Sequence, residues 1–159
     1  MIAESIRKWI RRELYCKECY SRLSSLLTDN PYALSILETN SRESGEHAEA
    51  LRRAAEILGV KLSPEDFKPE MPEGVKPVET HNMSPVEIVY QGIKQHLKVE
   101  VVAREAYERL AEQVENLEAK EIFRNLAKAE EKHHKMLTAL LQTLEQTYPQ
   151  LKEKGSTGV

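Results

Sequence analysis

The chain has 159 residues, 40% of them hydrophobic and 31% charged, with a formal net charge of −3. That is the size of a single domain able to bury a core, and the mildly acidic balance offers no basic surface of the kind nucleic acid or an anionic membrane requires. No apolar run approaches the ~18 residues of a membrane span, the charged start MIAESIRKWIRREL is neither a secretory signal nor a transit peptide, and Cys16 and Cys19 are too few for a disulfide framework. A cytoplasmic location is expected.

Four amphipathic helices are predicted in chain order. Ile6, Trp9, Glu13, Cys16, Tyr20, Leu23 and Leu27 recur at steps of three and four and form the inward face of the first. Thr28-Asp29-Asn30-Pro31 interrupts that period, with Asn30 placed to cap the second helix and Pro31 at its first position, where a missing N–H costs nothing. The second face runs Leu37, Asn40, Ser44, His47, Leu51, Ala54, Leu58, and Gly59 is placed to end it. Residues 60 to about 83 hold Pro64, Pro69, Pro72 and Pro77 without helical period and read as an extended crossing segment.

Ser84-Pro85-Val86-Glu87 opens the third helix, whose inward face is Val89, Ile93, His96, Glu100, Ala103, Tyr107, Leu110 and Val114. After a turn near Asn116, the fourth face reads Phe123, Leu126, Glu130, His133, Leu137, Leu140 and Leu144. Short links make helices 1 and 2, and helices 3 and 4, antiparallel hairpins, while the long link joins the pairs. The expected fold is therefore all-α, a four-helix bundle of two hairpins with a long crossover over residues 1–149, followed by a flexible tail, 150–159.

The two halves repeat each other. Glu13, Tyr20, Arg22, Leu23 and Glu43 recur as Glu100, Tyr107, Arg109, Leu110 and Glu130, with His47 or His133 close behind. Glu13, Glu100 and Glu130 stand where the apolar stripes demand buried residues, and an ionised carboxylate is not tolerated there without a compensating cation. Carboxylate oxygens and imidazole nitrogens suit iron or manganese, and two ions can share bridging carboxylates. The clearest local motif is Glu130-Glu131-Lys132-His133, an E-x-x-H that stacks Glu130 and His133 one turn apart.

With these residues the chain resembles the ferritin-like di-iron carboxylate proteins, in particular the rubrerythrin-like branch, over roughly residues 3–146. The 159 residues hold no rubredoxin-like domain. The resemblance implies a di-iron centre, with manganese or a mixed metal as variants. Glu13 and Glu100 would be terminal ligands, Glu43 and Glu130 bridges, and His47 and His133 would each hold one ion. Helix 2 departs from the pattern, since Ser44 stands three residues before His47. Either Glu43 pairs with His47 through a π-type irregularity near Gly45, with Glu46 as the substitute, or Ser44 replaces a ligand and leaves one metal position weak or empty.

Tyr20 and Tyr107 are expected to hydrogen-bond ligand carboxylates, His96 to support the site or sit as a satisfied core histidine, and Cys16 to line the cavity. The implied activity is oxidation of iron(II) by O2 or peroxide, of the ferroxidase or peroxidase type, in iron homeostasis or oxidative-stress defence, by a homodimer or larger homo-oligomer. The competing expectation is a helical interaction or assembly module whose metal site has decayed.

Overall fold

The computed structural model describes residues 1–78 and 80–152. Four long helices account for most of it: α1 (Ile2–Leu26), α2 (Pro31–Ile57), α3 (Pro85–Gln113) and α4 (Leu117–Thr147), with one 3-10 turn, Pro64–Phe67, in the long connection. The starts of α2 and α3 follow the capping chemistry read from the sequence, and α4 is capped in the same way at the turn read near Asn116. Asn30 Oδ1 accepts the Ala33 N–H at 3.1 Å, Ser84 Oγ accepts the Glu87 N–H at 3.3 Å, and Asn116 Oδ1 accepts the Ala119 N–H at 3.0 Å. Each satisfies one amide that a helix start leaves without an intrahelical partner. Gly59 follows α2 at φ +72, the left-handed conformation that a residue lacking Cβ adopts freely.

α1 packs on α2 and α3, and α4 packs on α3 and α2. Among the described residues the backbones of α2 and α3 do not approach one another closely, so they occupy opposite corners of the bundle. Their connection is tied down along its length. Lys61 O accepts from Arg7 Nη2 at 2.9 Å, the Glu70 N–H donates to Arg11 O at 3.1 Å, and Lys76 exchanges two 2.6 Å hydrogen bonds with the Gln95 amide. The segment thus runs over α1 and arrives on α3. α1 and α3 meet closely at Gly92, where an added Cβ would fall 2.9 Å from Leu23 Cδ1.

The core is divided. One apolar half gathers Ile6, Trp9, Ile10, Leu51, Tyr107 and Phe123, the other Tyr20, Leu23, Leu37, Ile93, Leu137 and Leu144. Burying such side chains contributes about 1.5–3 kcal/mol each, which is what sustains a polar layer between the halves. Leu151, placed by sequence in the tail, is 1% exposed within the second half, on a short helical stretch after Pro149. The rest of the expected tail, from residue 153, lies outside the described residues. No described helix is long and apolar enough to cross a membrane.

Candidate metal centre

Eight polar side chains occupy the layer between the two apolar halves: Glu13, Asn40, Ser44, His47, His96, Glu100, Glu130 and His133, none more than 7% exposed. All four helices contribute. His47 Nδ1 lies 3.0 Å from Glu130 Oε1 and 3.5 Å from Glu13 Oε2. His133 Nδ1 lies 3.6 Å from Glu100 Oε2 and 3.9 Å from Glu130 Oε2. Two three-residue groups result, Glu13–His47–Glu130 and Glu100–Glu130–His133, each with donor atoms within 4.8 Å of one another. Glu130 belongs to both. The two imidazoles stack at 5.2 Å.

The tyrosines tie the hairpins together reciprocally. Tyr20 on α1 donates to Glu100 Oε1 on α3 at 2.5 Å, and Tyr107 on α3 donates to Glu13 Oε1 on α1 at 2.7 Å. Each leaves its carboxylate's other oxygen facing the layer. His96 does not join the carboxylates; it stacks on Tyr20 at 4.2 Å, and burial lowers its pKa to about 4, so the ring is neutral. Cys16 is buried near Glu13 and Glu100, where burial and those two charges hold the thiol protonated.

Helix 2 resolves differently from the expected irregularity. α2 continues as α-helix through Gly45, and at 3.6 residues per turn a neighbouring position points about 100° away. Ser44 therefore takes the inward position at 1% exposure. Glu43 lies at the flank, its side chain 16% exposed, with Oε2 2.9 Å from His133 Nε2 and Oε1 3.5 Å from Lys132 Nζ. It also forms a group with His47 and His133. Glu46 stands apart, 65% exposed and paired with Arg42 at 3.7 Å.

The electrostatics describe a site short of positive charge. Two like charges about 4 Å apart at an effective dielectric near 20 repel by roughly 4 kcal/mol. Burial, then Glu100 and Glu13, accordingly push the Glu130 carboxyl well above its usual range. Burial also acts to raise Glu100, but its contacts with Glu130 and His133 dominate and hold it at about 2. For His133, burial opposes charging, yet Glu100 and Glu43 lift it to about 9.

Even so, His47 Nδ1, Glu100 Oε2, Glu130 Oε1 and His133 Nδ1 are buried without a hydrogen-bond partner. Short approaches without hydrogen-bond alignment, from hard oxygen and imidazole nitrogen donors, fit an ion placed among them.

The rubrerythrin family profile matches residues 4–141, and again 93–158. The chain belongs to the rubrerythrin family. None of the curated proteins matches it. Family membership and the two carboxylate–histidine groups of this rubrerythrin-family chain together point to a di-iron protein.

Sequence reasoning set the polar Asn40 beside Ser44 as a mark of a decayed site and gave it no role in a working one. Its full burial with both amide atoms unpaired sets it beside Ser44 as a second anomaly, signalled in sequence by an Asn and a Ser at successive inward positions.

Proposed function

We propose that this chain is a di-iron carboxylate oxidoreductase that oxidises iron(II) with O2 or peroxide. The observation that carries the proposal is the set of four unpartnered donor atoms, contributed by α2, α3 and α4 and facing one another in a buried layer that Glu13 of α1 completes. Glu130 would be shared between the ions, Glu13 and His47 would serve one, and Glu100 and His133 the other. Two irons held there supply one-electron chemistry toward O2 or peroxide.

The chain's own residues do the rest. Tyr20 and Tyr107 fix Glu100 and Glu13 by donating to one oxygen of each. Glu43, expected to bridge, is assigned instead to accept from His133 Nε2, which turns Nδ1 toward the centre. Glu46 is left outside. The apolar halves above and below exclude water.

Metal-free protein loaded anaerobically with iron(II) and then mixed with O2 or with hydrogen peroxide provides the test. Oxidation well above the protein-free rate is expected, and the faster oxidant distinguishes ferroxidase from peroxidase behaviour. Failure to bind iron would favour the interaction-module reading, which the Ser44 and Asn40 substitutions support. A cytoplasmic homodimer or larger homo-oligomer completes the proposal, and light scattering of the full chain measures its size.

A further inference from the structure

The two hairpins differ by one residue in their turns, residues 27–30 in the first and 114–116 in the second. The cap asparagines Asn30 and Asn116 and the histidines His47 and His133 fix the same register on α2 and α4. In that register Ser44 is the counterpart of Glu130, and Asn40 the counterpart of Leu126. Where α4 sends a carboxylate into the centre, α2 offers a hydroxyl, and one turn earlier an amide replaces an apolar side chain.

Asn40 Nδ2, Asn40 Oδ1 and Ser44 Oγ are all buried without a hydrogen-bond partner. A single polar group left in that state costs about 1–3 kcal/mol, and the three in adjacent turns form a patch that a bound polar group would satisfy. Charge points the same way. Three inner carboxylates, Glu13, Glu100 and Glu130, do not neutralise two divalent ions, and Glu43 lies on the far side of the His133 ring.

We propose that Asn40 and Ser44 form a subsite for a small carboxylate-type anion, bicarbonate or formate, standing in for the glutamate that α2 lacks. The Ser44 hydroxyl and the Asn40 Nδ2 amide donate to the anion oxygens, and Asn40 Oδ1 accepts from the O–H of bicarbonate. The inference rests on the two-metal reading given above.

Calorimetric titration of the metal-free full chain with manganese(II), under argon at constant ionic strength, tests it in three buffers: chloride, formate and bicarbonate. Formate or bicarbonate is expected to tighten manganese binding by about tenfold or more, at one anion per chain; bicarbonate acting alone assigns the Asn40 Oδ1 contact as well. Ser44→Glu carries its own carboxylate and should bind tightly in chloride with no further gain from formate. Asn40→Leu, which restores the α4 counterpart, should abolish the formate response. Two manganese ions bound equally well by the wild-type chain in all three buffers would overturn the anion subsite while leaving the metal centre standing. No manganese bound in any buffer would overturn both.

Discussion

The hairpin α3–α4 and the hairpin α1–α2 share one plan and differ at its centre. The second presents Glu100, Glu130 and His133 on inward stripes. The first presents Glu13 and His47, but Ser44 where Glu130 would be, while Glu43 sits one position off the stripe. A single extra turn residue accounts for the offset. Aligning the halves by their glutamates pairs Glu43 with Glu130, whereas aligning them by cap and histidine pairs Ser44 with Glu130. A bundle follows the second alignment, because the helix starts and the buried faces set the register. One residue on a helix is about 100°, enough to move a carboxylate from the centre to the flank, beside a histidine ring.

The largest effect expected from breaking this asymmetry is that of Glu130→Ala. As the one carboxylate common to both groups, it should cost both metal equivalents in elemental analysis, where loss of one would show that it is not shared. His47→Ala and His133→Ala come next, each expected to remove a single equivalent, with His133→Ala emptying the position beside Glu100 and His47→Ala the one beside Glu13. Glu43→Gln sharpens the comparison further. Acting only through His133, it should weaken binding by about 10- to 100-fold while both equivalents remain at saturating metal; a loss like that of Glu130→Ala would restore Glu43 to the bridge.

A smaller effect concerns pH in the metal-free protein. His133 is raised to about 9 by Glu100 and Glu43 against the pull of burial, and Glu130 lies well above its usual range because of burial, then Glu100 and Glu13. The folded chain therefore holds more protons than the unfolded one, so these groups stabilise it fully only below their unfolded values, and stability falls as pH rises. The window set by His133 runs from its ordinary 6.5 to about 9. His96, at about 4, has the opposite sign but contributes below that window. Urea midpoints measured across it should decrease steadily, and a flat or rising profile would contradict the proton-holding layer. Smallest of all, Tyr107→Phe removes one hydrogen bond to a charged group, worth about 1.5–3 kcal/mol, and should lower stability without changing metal stoichiometry.

Much of this was legible in the chain. Asn30, Pro31, Ser84 and Pro85 announced two helix starts because capping is a local matter, while Asn116, read only as a turn, caps the fourth helix. The stripes placed Glu13, Glu100, Glu130 and His133 inside because apolar periodicity reports burial directly. The tyrosine pairings were expected in kind, though which carboxylate each would reach depends on the packing of α1 against α3. What spacing could not reveal was the position of Glu43 at the flank of the layer, since a repeat compares residue numbers and a bundle compares angles. Leu151 was missed for a related reason: a proline ended the period, and the chain resumed its contact with the core beyond it.

The measurement that bears most directly on the centre is anomalous scattering at the iron edge from crystals of the iron-loaded chain. Two adjacent peaks are expected, one among Glu13, His47 and Glu130 and the other among Glu100, Glu130 and His133, with Glu43 on the outer face of His133. A single peak, or a peak ligated by Glu43 in place of Glu130, would contradict the shared-carboxylate arrangement, and an empty layer would contradict the metal centre itself.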